Sequence, residues 1–498
     1  MNNLKRLVHI ITFFTGKKNP IYDFSNLKPS NKEEYLLMNI LGNKYEKDED
    51  AIIDVYGSLE GTERYRMLKH RLHKKLHNHL FFLRSSVRDD KKMEKECHDL
   101  VYRGRGLLHI AEFDWAEDFF KKALSIATKY EFTDIIIECY QNLNYIYVQQ
   151  TKHKQFHSTL KTLEKLRALK ALENEAYELY YTARLEMIRT VASRKAYLPK
   201  LPEVIHRLMF LWQSTNSFNI FQHYYYLNTW YLKLIGDFDA NITILRDAER
   251  LLEDGKINAL RFDHRANKYS HISALLRARR YDEGLGLAEK YKVAFHPYSR
   301  NWFAYMQHYF LLALHVGNWE LAHEIIKEVD DNPYYKRIKT RAKENWALFK
   351  AYLLFFYPKA TYMQSSDFWS FLQQVPEHSK DKLGYNVSII ILQFLHGLKH
   401  ENYEQLLAKE DSLRKYLNSY LKDSNSERSR LFFRLLIVCI RNDFNPKSTE
   451  KKGANWFERL KKVPIPGDAY AQIEIIPYEK LWLLILELLK DPKKFSRI

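Results

Sequence analysis

The densest group of chemically capable side chains lies near the N-terminus, at positions 64–77, which read RYRMLKHRLHKKLH. No acid occurs between Glu63 and Asp89, whereas eight Lys and Arg residues do. Leucines at four-residue spacing predict a helix with an apolar face. Cations on a helix surface can neutralise the phosphates of DNA or RNA. The candidate phosphate-binding residues are Arg66, Lys69, His70, His73, Lys74 and His77. The alternative is a surface helix whose charges meet acidic residues of the helical repeat array that follows it, or only water.

The other reactive patterns in the chain do not assemble a metal or catalytic site. His73 and His77 have the i, i+4 spacing of a metal pair, but Lys74 and Lys75 beside them would repel a cation. No G-x-S-x-G, H-E-x-x-H or phosphate-loop motif occurs. We therefore predict a protein that is not an enzyme, with no catalytic residues, no metal and no cofactor.

A short phrase recurs along the chain: a small or polar residue, then Asp, Asn or Glu, an aromatic residue, an acid and soon a small residue. Strong copies are AEFDWA at 111–116, GDFDA at 236–240 and GNWELA at 317–322, and looser ones are RYDEG at 280–284 and NYEQL at 402–406. The aromatic residues form a ladder with Phe156, Tyr197, Tyr362 and Phe444, with steps of 38 to 43 residues. A fixed period in this range indicates stacked helical units.

The neighbours of the aromatic residue support a turn between two helices. Gly236 and Gly317 stand two residues before it, where a helix end favours a positive φ. The Asp or Asn that follows is a typical N-cap. Ala116, Gly284 and Ala322 stand three residues after it, where a small side chain lets helices approach closely. Five copies have such support, while the other four rungs depend on spacing alone.

The phrase resembles the second half of a tetratricopeptide repeat, although the period of about 41 residues exceeds the family's usual ~34. The resemblance implies a right-handed α-solenoid of helix–turn–helix repeats, whose first helices line an inner groove that binds peptides or protein surfaces. Carried onto this chain, it implies partner-binding residues just before the repeated turns: Arg105, His109, Trp230, Lys233, Arg277 and His315. The alternative is that Trp230 belongs to the core and the cations to ordinary surface.

Local signals predict an all-α chain of three parts: an N-terminal helical module at 1–92, a repeat array at 93–446 and C-terminal capping helices at 447–498. The module contains the basic helix. Pro477 is expected to open the last helix, whose surface over 478–489 is apolar on all sides and should be buried against the preceding repeat. No alternating apolar runs predict strands, so sheet content should be near zero.

Composition narrows the class of protein further. The chain has 498 residues, 46% hydrophobic and 28% charged, which is typical of a folded protein. Three widely spaced cysteines, Cys97, Cys139 and Cys439, predict small core residues in a reducing compartment. No apolar run is long enough to span a bilayer, and Leu4 to Ile11 form one face of an ordinary helix instead of a signal peptide. We expect a cytoplasmic protein.

The net charge of +18 suggests an acidic partner. The alternative is that the basic residues are spread over solvated outer faces. Our leading hypothesis is a scaffold or adaptor that binds an acidic protein or peptide on the inner face of the array. The alternative hypothesis is a regulator whose basic helix contacts nucleic acid while the array senses a peptide or protein. Peripheral membrane contact through residues 4–14 is a third and least favoured hypothesis.

Overall fold

The computed structural model describes residues 1–15, 31–80, 88–189, 191–357, 385–421, 426–464 and 474–491. Within these ranges the regular elements are helices, with no β-strand, which confirms the all-α prediction. None of the described helices is both long and apolar enough to cross a bilayer. Packing divides the chain into two compact units, Met1–Lys170 and Ala171–Ile498. This division falls inside one long helix and does not coincide with the boundaries expected near 92 and 446.

The first unit begins with a small core of its own. Its helices are α1 Asn2–Thr15, α2 Lys32–Leu41, α3 Asp48–Tyr56, α4 Thr62–Leu80, α5 Asp89–Leu108, α6 Phe113–Lys129, α7 Thr133–Gln149 and the first half of α8 His153–Arg189. The apolar face of α1, including Leu4 and Ile11, is buried in one cluster with leucines of α2 and α4. Because this face is covered by the protein itself, a membrane contact through residues 4–14 loses its basis.

Helices α5, α6 and α7 form a second core in this unit. Cys97 and Cys139 are buried in it as small apolar residues, and burial raises their pKa values to about 11 and about 12. Gly104 lies against the ring of Phe120, and a Cβ atom at this glycine would stand 2.8 Å from Phe120 Cζ. A side chain here would therefore push α5 and α6 apart.

The second unit contains the rest of α8 and the helices that follow it. These are α9 Val191–Tyr197, α10 Leu201–Thr215, α11 Phe218–Ile235, α12 Phe238–Glu253, α13 His264–Arg277, α14 Tyr281–Tyr291, α15 Arg300–Val316, α16 Trp319–Asp331, α17 Thr340–Phe356, α18 Tyr385–Lys399, α19 Tyr403–Leu407, α20 Glu410–Tyr420, α21 Glu427–Arg441, α22 Pro446–Lys462 and α23 Tyr478–Lys490. Cys439 is buried within α21.

Helices α11 to α16 alternate between two rows. In the first row, Tyr225 Oη of α11 donates to Asn267 Oδ1 of α13 at 2.6 Å, and the ring of Tyr269 on α13 meets that of His308 on α15. In the second row, α12 and α14 are joined by the ion pair between Arg246 and its carboxylate partner Glu283. We call α11, α13 and α15 the inner row and α12, α14 and α16 the outer row.

The five well-supported aromatic residues share one structural position, the first residue of a helix: Phe113, Phe238, Tyr281, Trp319 and Tyr403. Two residues earlier the backbone has a positive φ in all five copies: Ala111, Gly236, Arg279, Gly317 and Glu401. Asp237 and Asn318 cap the next helix through their side chains, as predicted. The recurring phrase therefore marks a tight turn between two helices, in which one residue has a left-handed backbone conformation.

The remaining rungs of the ladder do not share this position. Phe156 lies inside the first turn of α8, and Tyr197 is the last residue of α9. Phe444 follows α21 and itself has a φ of 57°. Tyr362 lies within positions 358–384, outside the described residues. Aromatic residues are common in this chain, so spacing alone was a poor guide.

The C-terminal helix α23 begins after Pro477 and is largely buried, as predicted. It packs against α21 and α22, which precede it, and also against α18. Its N-terminal end reaches further back, to the turns that end α13 and α15. The helix therefore packs against the helices that precede it, as expected, and against earlier parts of the chain as well.

Candidate functional site

One face of α11 remains half-exposed along the whole helix, while most of its other positions are buried. The residues on this face follow helical spacing (i, i+4, i+7, i+11 and i+14): Asn219, His223, Tyr226, Trp230 and Lys233. Trp230 packs partly against the core. One part of its ring therefore belongs to the core, and the other part belongs to the partly exposed surface. The exposed remainder presents aromatic, imidazole, amide and ammonium groups along about 20 Å of helix.

Helix α8 continues this face on one side. The rings of Tyr177 and Tyr181 are 54% and 44% exposed, and their centroids lie 4.4 Å apart. His223 of α11 stacks on the buried Tyr180 at 4.7 Å and meets Tyr181 at 5.9 Å. Burial lowers the pKa of His223 to about 4. The imidazole is therefore neutral at physiological pH and belongs to an aromatic group.

Helix α13 continues the face on the other side and adds positive charge. Lys233 Nζ lies 3.4 Å from Ser270 Oγ of α13. The last residue of this helix is Arg277, a half-buried residue whose guanidinium lies 5.9 Å from the ring centroid of Phe238. We call this surface, formed by the exposed residues of α8, α11 and α13, the inner face.

The six predicted partner-binding residues fall in different settings. Trp230, Lys233 and Arg277 belong to the inner face. Arg105 and His109 are exposed in the first unit, where Arg105 forms an ion pair with Glu138 at 2.8 Å.

His315 is different, because it is only 4% exposed. Its Nε2 donates to the carbonyl oxygens of Glu474 and Ile475, both at 3.0 Å. Its ring therefore binds the protein's own C-terminal segment and is not available to a ligand in this structure.

Three further contacts fix this C-terminal segment to the inner row. Lys480 Nζ donates to the carbonyl oxygen of His315 at 2.5 Å. Arg279, in the turn after α13, binds Glu479 Oε1 at 2.9 Å. The ring of Tyr281 packs edge-on against the imidazole of His315 at 4.7 Å. Residues 474–480 thus cover the end of α15 that is equivalent to the open end of α11.

Arg428 holds this segment from the other side. The side chain is 3% exposed, and its five N–H groups meet five acceptor oxygens. Three of these belong to the carboxylates of Glu474 and Glu479, and two are carbonyl oxygens of Leu460 and Val463. Burial alone would raise the pKa of Glu479, but the hydrogen bond and charge of Arg428 lower it overall. The arginine is therefore fully satisfied.

The basic helix α4 divides its charges between paired and unpaired positions. Lys69 binds Asp48 at 2.9 Å, and Arg71 and Lys75 both bind Glu33. Its other three cations, Arg64, Arg66 and Lys74, are exposed and make no ion pair with the described residues. Half of the six cations are therefore paired, but with acids of the N-terminal module and not with the acids of the repeat array that the alternative prediction named.

The histidines of α4 lie on or near its outer side. His70 and His77 are exposed, while His73 is half-buried and lines a small cleft with the N-terminal residues. The rings of His73 and His77 are 4.4 Å apart. Burial first, and then the neighbouring His77, His70 and Lys69, lower the pKa of His73. The described residues contain no group of three or more His, Cys, Asp or Glu side chains that could hold a metal ion.

The chain matches no protein-family model, no curated protein and no solved structure. The functional assignment therefore depends on the geometry. Trp230, Lys233 and Arg277 of the inner face were predicted from the sequence, whereas Tyr177, Tyr181, His223 and Tyr226 were not. A signal was present in α11, because five of its half-exposed residues follow one helical stripe.

Proposed function

We propose that this protein is a non-enzymatic scaffold that binds a protein or peptide segment on the inner face of its second unit. The observation that carries the proposal is the half-exposed stripe of α11, flanked by exposed tyrosines on α8 and by Arg277 on α13. Aromatic side chains and arginine are the usual anchors at protein interfaces. The proposal includes a tetratricopeptide-like, right-handed stacking of the helix pairs, for which the two rows of α11 to α16 provide support.

The chemistry of the partner follows from the charges of the inner face. Along the half-exposed stripe of α11 there is no acid, and Lys233 and Arg277 supply positive charge at one end. The neighbouring turn, at Arg279, already binds a carboxylate of the chain itself, Glu479. We therefore propose an acidic partner segment whose carboxylates lie near Lys233 and Arg277 and whose apolar side chains contact Tyr177 and Tyr181.

The test is affinity capture from a native lysate, with quantitative mass spectrometry, on three matched versions of the full chain. Lys233→Glu reverses one charge on the inner face, and Lys290→Glu reverses one exposed charge on the outer row. Trp230→Ala removes the aromatic anchor. We expect a protein that the wild type and Lys290→Glu retain and that Lys233→Glu and Trp230→Ala lose by at least about tenfold, since an anchor at an interface contributes ~1–2 kcal/mol or more.

Helix content and thermal unfolding of each variant serve as controls for folding. If all three variants retain the same proteins as the wild type, the inner face is not the binding surface. If Lys290→Glu loses the same protein as Lys233→Glu, general charge and not the inner face governs binding.

A further inference from the structure

The outer side of α4 is a second charged surface, and the proposed scaffold function does not use it. Arg66, His70, Lys74 and His77 are all exposed on this side of the helix. Below them, Leu68 and Leu72 are buried in the core of the N-terminal module. The surface is therefore fixed to a folded body and is not a loose basic segment.

Pairing within the module leaves this surface with a net positive charge. Asp48 and Glu33 neutralise Lys69, Arg71 and Lys75, which flank the buried stripe. Arg66 and Lys74, on the outer side, have no such partner among the described residues. The one acid of α4, Glu63, stands at its first turn. The nearby acids are thus already occupied by the inner cations, and the outer cations remain available to an external anion.

We propose that the outer side of α4 binds the phosphate backbone of duplex nucleic acid without reading its sequence. Arg66 and Lys74 are eight residues apart, or about 12 Å along the helix axis. The phosphates of one strand advance by about 3.4 Å each, so this distance spans three to four of them. Along the helix, His70 lies between Arg66 and Lys74, and His77 lies beyond Lys74. The exposed imidazoles of both histidines donate hydrogen bonds to phosphate oxygens.

The outer side of α4 has few of the side chains that would favour two other polyanions, single-stranded nucleic acid and an anionic membrane. Proteins that hold single strands stack the bases on aromatic side chains, and the one aromatic residue of α4, Tyr65, is buried. Helices that bind anionic membranes insert bulky apolar residues beside their cations. Met67 is the only exposed large hydrophobic residue of α4. A surface of cations and imidazoles alone fits a backbone whose bases are paired and stacked.

The experiment uses the full chain and a fluorescently labelled duplex of about 20 base pairs and arbitrary sequence, measured by anisotropy between ~50 and ~200 mM salt. With the two unpaired cations Arg66 and Lys74, the affinity should fall about 12-fold over this range. The variant Arg66→Glu/Lys74→Glu should bind at least tenfold more weakly at low salt. The milder Arg66→Gln/Lys74→Gln should reduce the salt slope by about two.

The matched control is Lys161→Glu/Lys165→Glu, which changes the net charge equally at two exposed positions of α8. It should retain most of the wild-type affinity, and all variants should keep the wild-type circular dichroism and melting temperature. The proposal is overturned if the control loses as much affinity as Arg66→Glu/Lys74→Glu, or if the wild type does not bind the duplex. Preference for single-stranded RNA, or for phosphatidylserine-containing over phosphatidylcholine vesicles without duplex binding, would also overturn it.

Discussion

Helices α11 and α15 occupy equivalent places in the inner row, yet the described residues leave partly exposed side chains along the C-terminal end of α11 and bury the last turn of α15. Both end at a glycine with a positive φ, Gly236 and Gly317. On α11 the last turns carry the half-exposed Trp230 and Lys233, whereas on α15 His315, in the last turn, is buried beneath residues 474–480. Within the part of the chain that the structure describes, residues 474–480 cover the last turn of α15, and no segment covers the last turns of α11 in the same way.

The contacts at α15 show the chemistry of a segment that binds at the end of an inner-row helix within this protein. At α15 the covering segment brings Glu479 to Arg279 and backbone carbonyls to His315. It places the apolar side of α23 in the same core as α15. The protein thus contains one example of an acidic, amphipathic segment bound at the end of an inner-row helix. A partner at α11 would need similar chemistry.

The largest expected effect comes from Arg428, which holds the covering segment in place. Arg428→Met should lower the free energy of unfolding of the second unit by about 3–5 kcal/mol, because it leaves the largely buried carboxylate of Glu474 without its ionic partner and Glu479 with Arg279 alone. Chemical unfolding followed by circular dichroism measures this loss. Hydrogen exchange should show faster exchange in residues 478–490 than in α11.

The matched variant is Arg428→Met/Glu474→Gln/Glu479→Gln, which also removes the charges that the first change leaves unpaired. It should recover part of the lost stability. A loss below about 1 kcal/mol for Arg428→Met alone would contradict the view that this network fixes the C-terminal segment.

The next prediction concerns the pH dependence of stability at His315, at the covered end of α15. Burial lowers the pKa of His315 to about 4, compared with ~6.5 in an unfolded chain. Between these values the unfolded state binds the proton and the folded state does not, so stability falls as the pH drops. From pH 7 to pH 5 we expect His315 to account for a loss of about 2 kcal/mol.

The control for this prediction is His315→Gln, which keeps an N–H donor but does not titrate. Its unfolding free energy should change less between pH 7 and pH 5 than that of the wild type, by the same ~2 kcal/mol. His223, His271 and His396 also have pKa values lowered to about 4, and they contribute equally in both proteins. Equal pH dependence in the two proteins would exclude a role for His315.

The sequence predicts the turns of this molecule better than it predicts the long-range contacts. The aromatic phrase located five helix starts and the left-handed residues before them, because both are local properties of a tight turn. The return of residues 474–480 to His315 crosses about 160 positions. No local pattern encodes such a contact, and His315 therefore looked like a free surface residue.

The candidate surfaces show the same limit. Helical spacing identified the outer cations of α4, but the pairing of Lys69 with Asp48 and of Arg71 with Glu33 depends on tertiary packing. Likewise, Trp230 and Lys233 were predicted from their position before a turn. The tyrosines of α8 were missed because their exposure depends on which face of this long helix packs against the core.

The smallest effect tests what α11 and α15 have in common. Gly236→Ala and Gly317→Ala should each cost about 1 kcal/mol, since a Cβ atom disfavours a left-handed residue. The two losses should agree within about 0.5 kcal/mol, because the turn is local and does not depend on the covering segment. Conversely, Ala111→Gly, at the equivalent position with a φ of 61°, should stabilise the first unit by less than about 1 kcal/mol, because the gain in backbone freedom of the unfolded chain offsets part of the relief. Thermal unfolding of the three variants measures these changes. A much larger loss for Gly317→Ala than for Gly236→Ala would mean that the covered turn is coupled to the C-terminal segment and is not an independent copy of the open one.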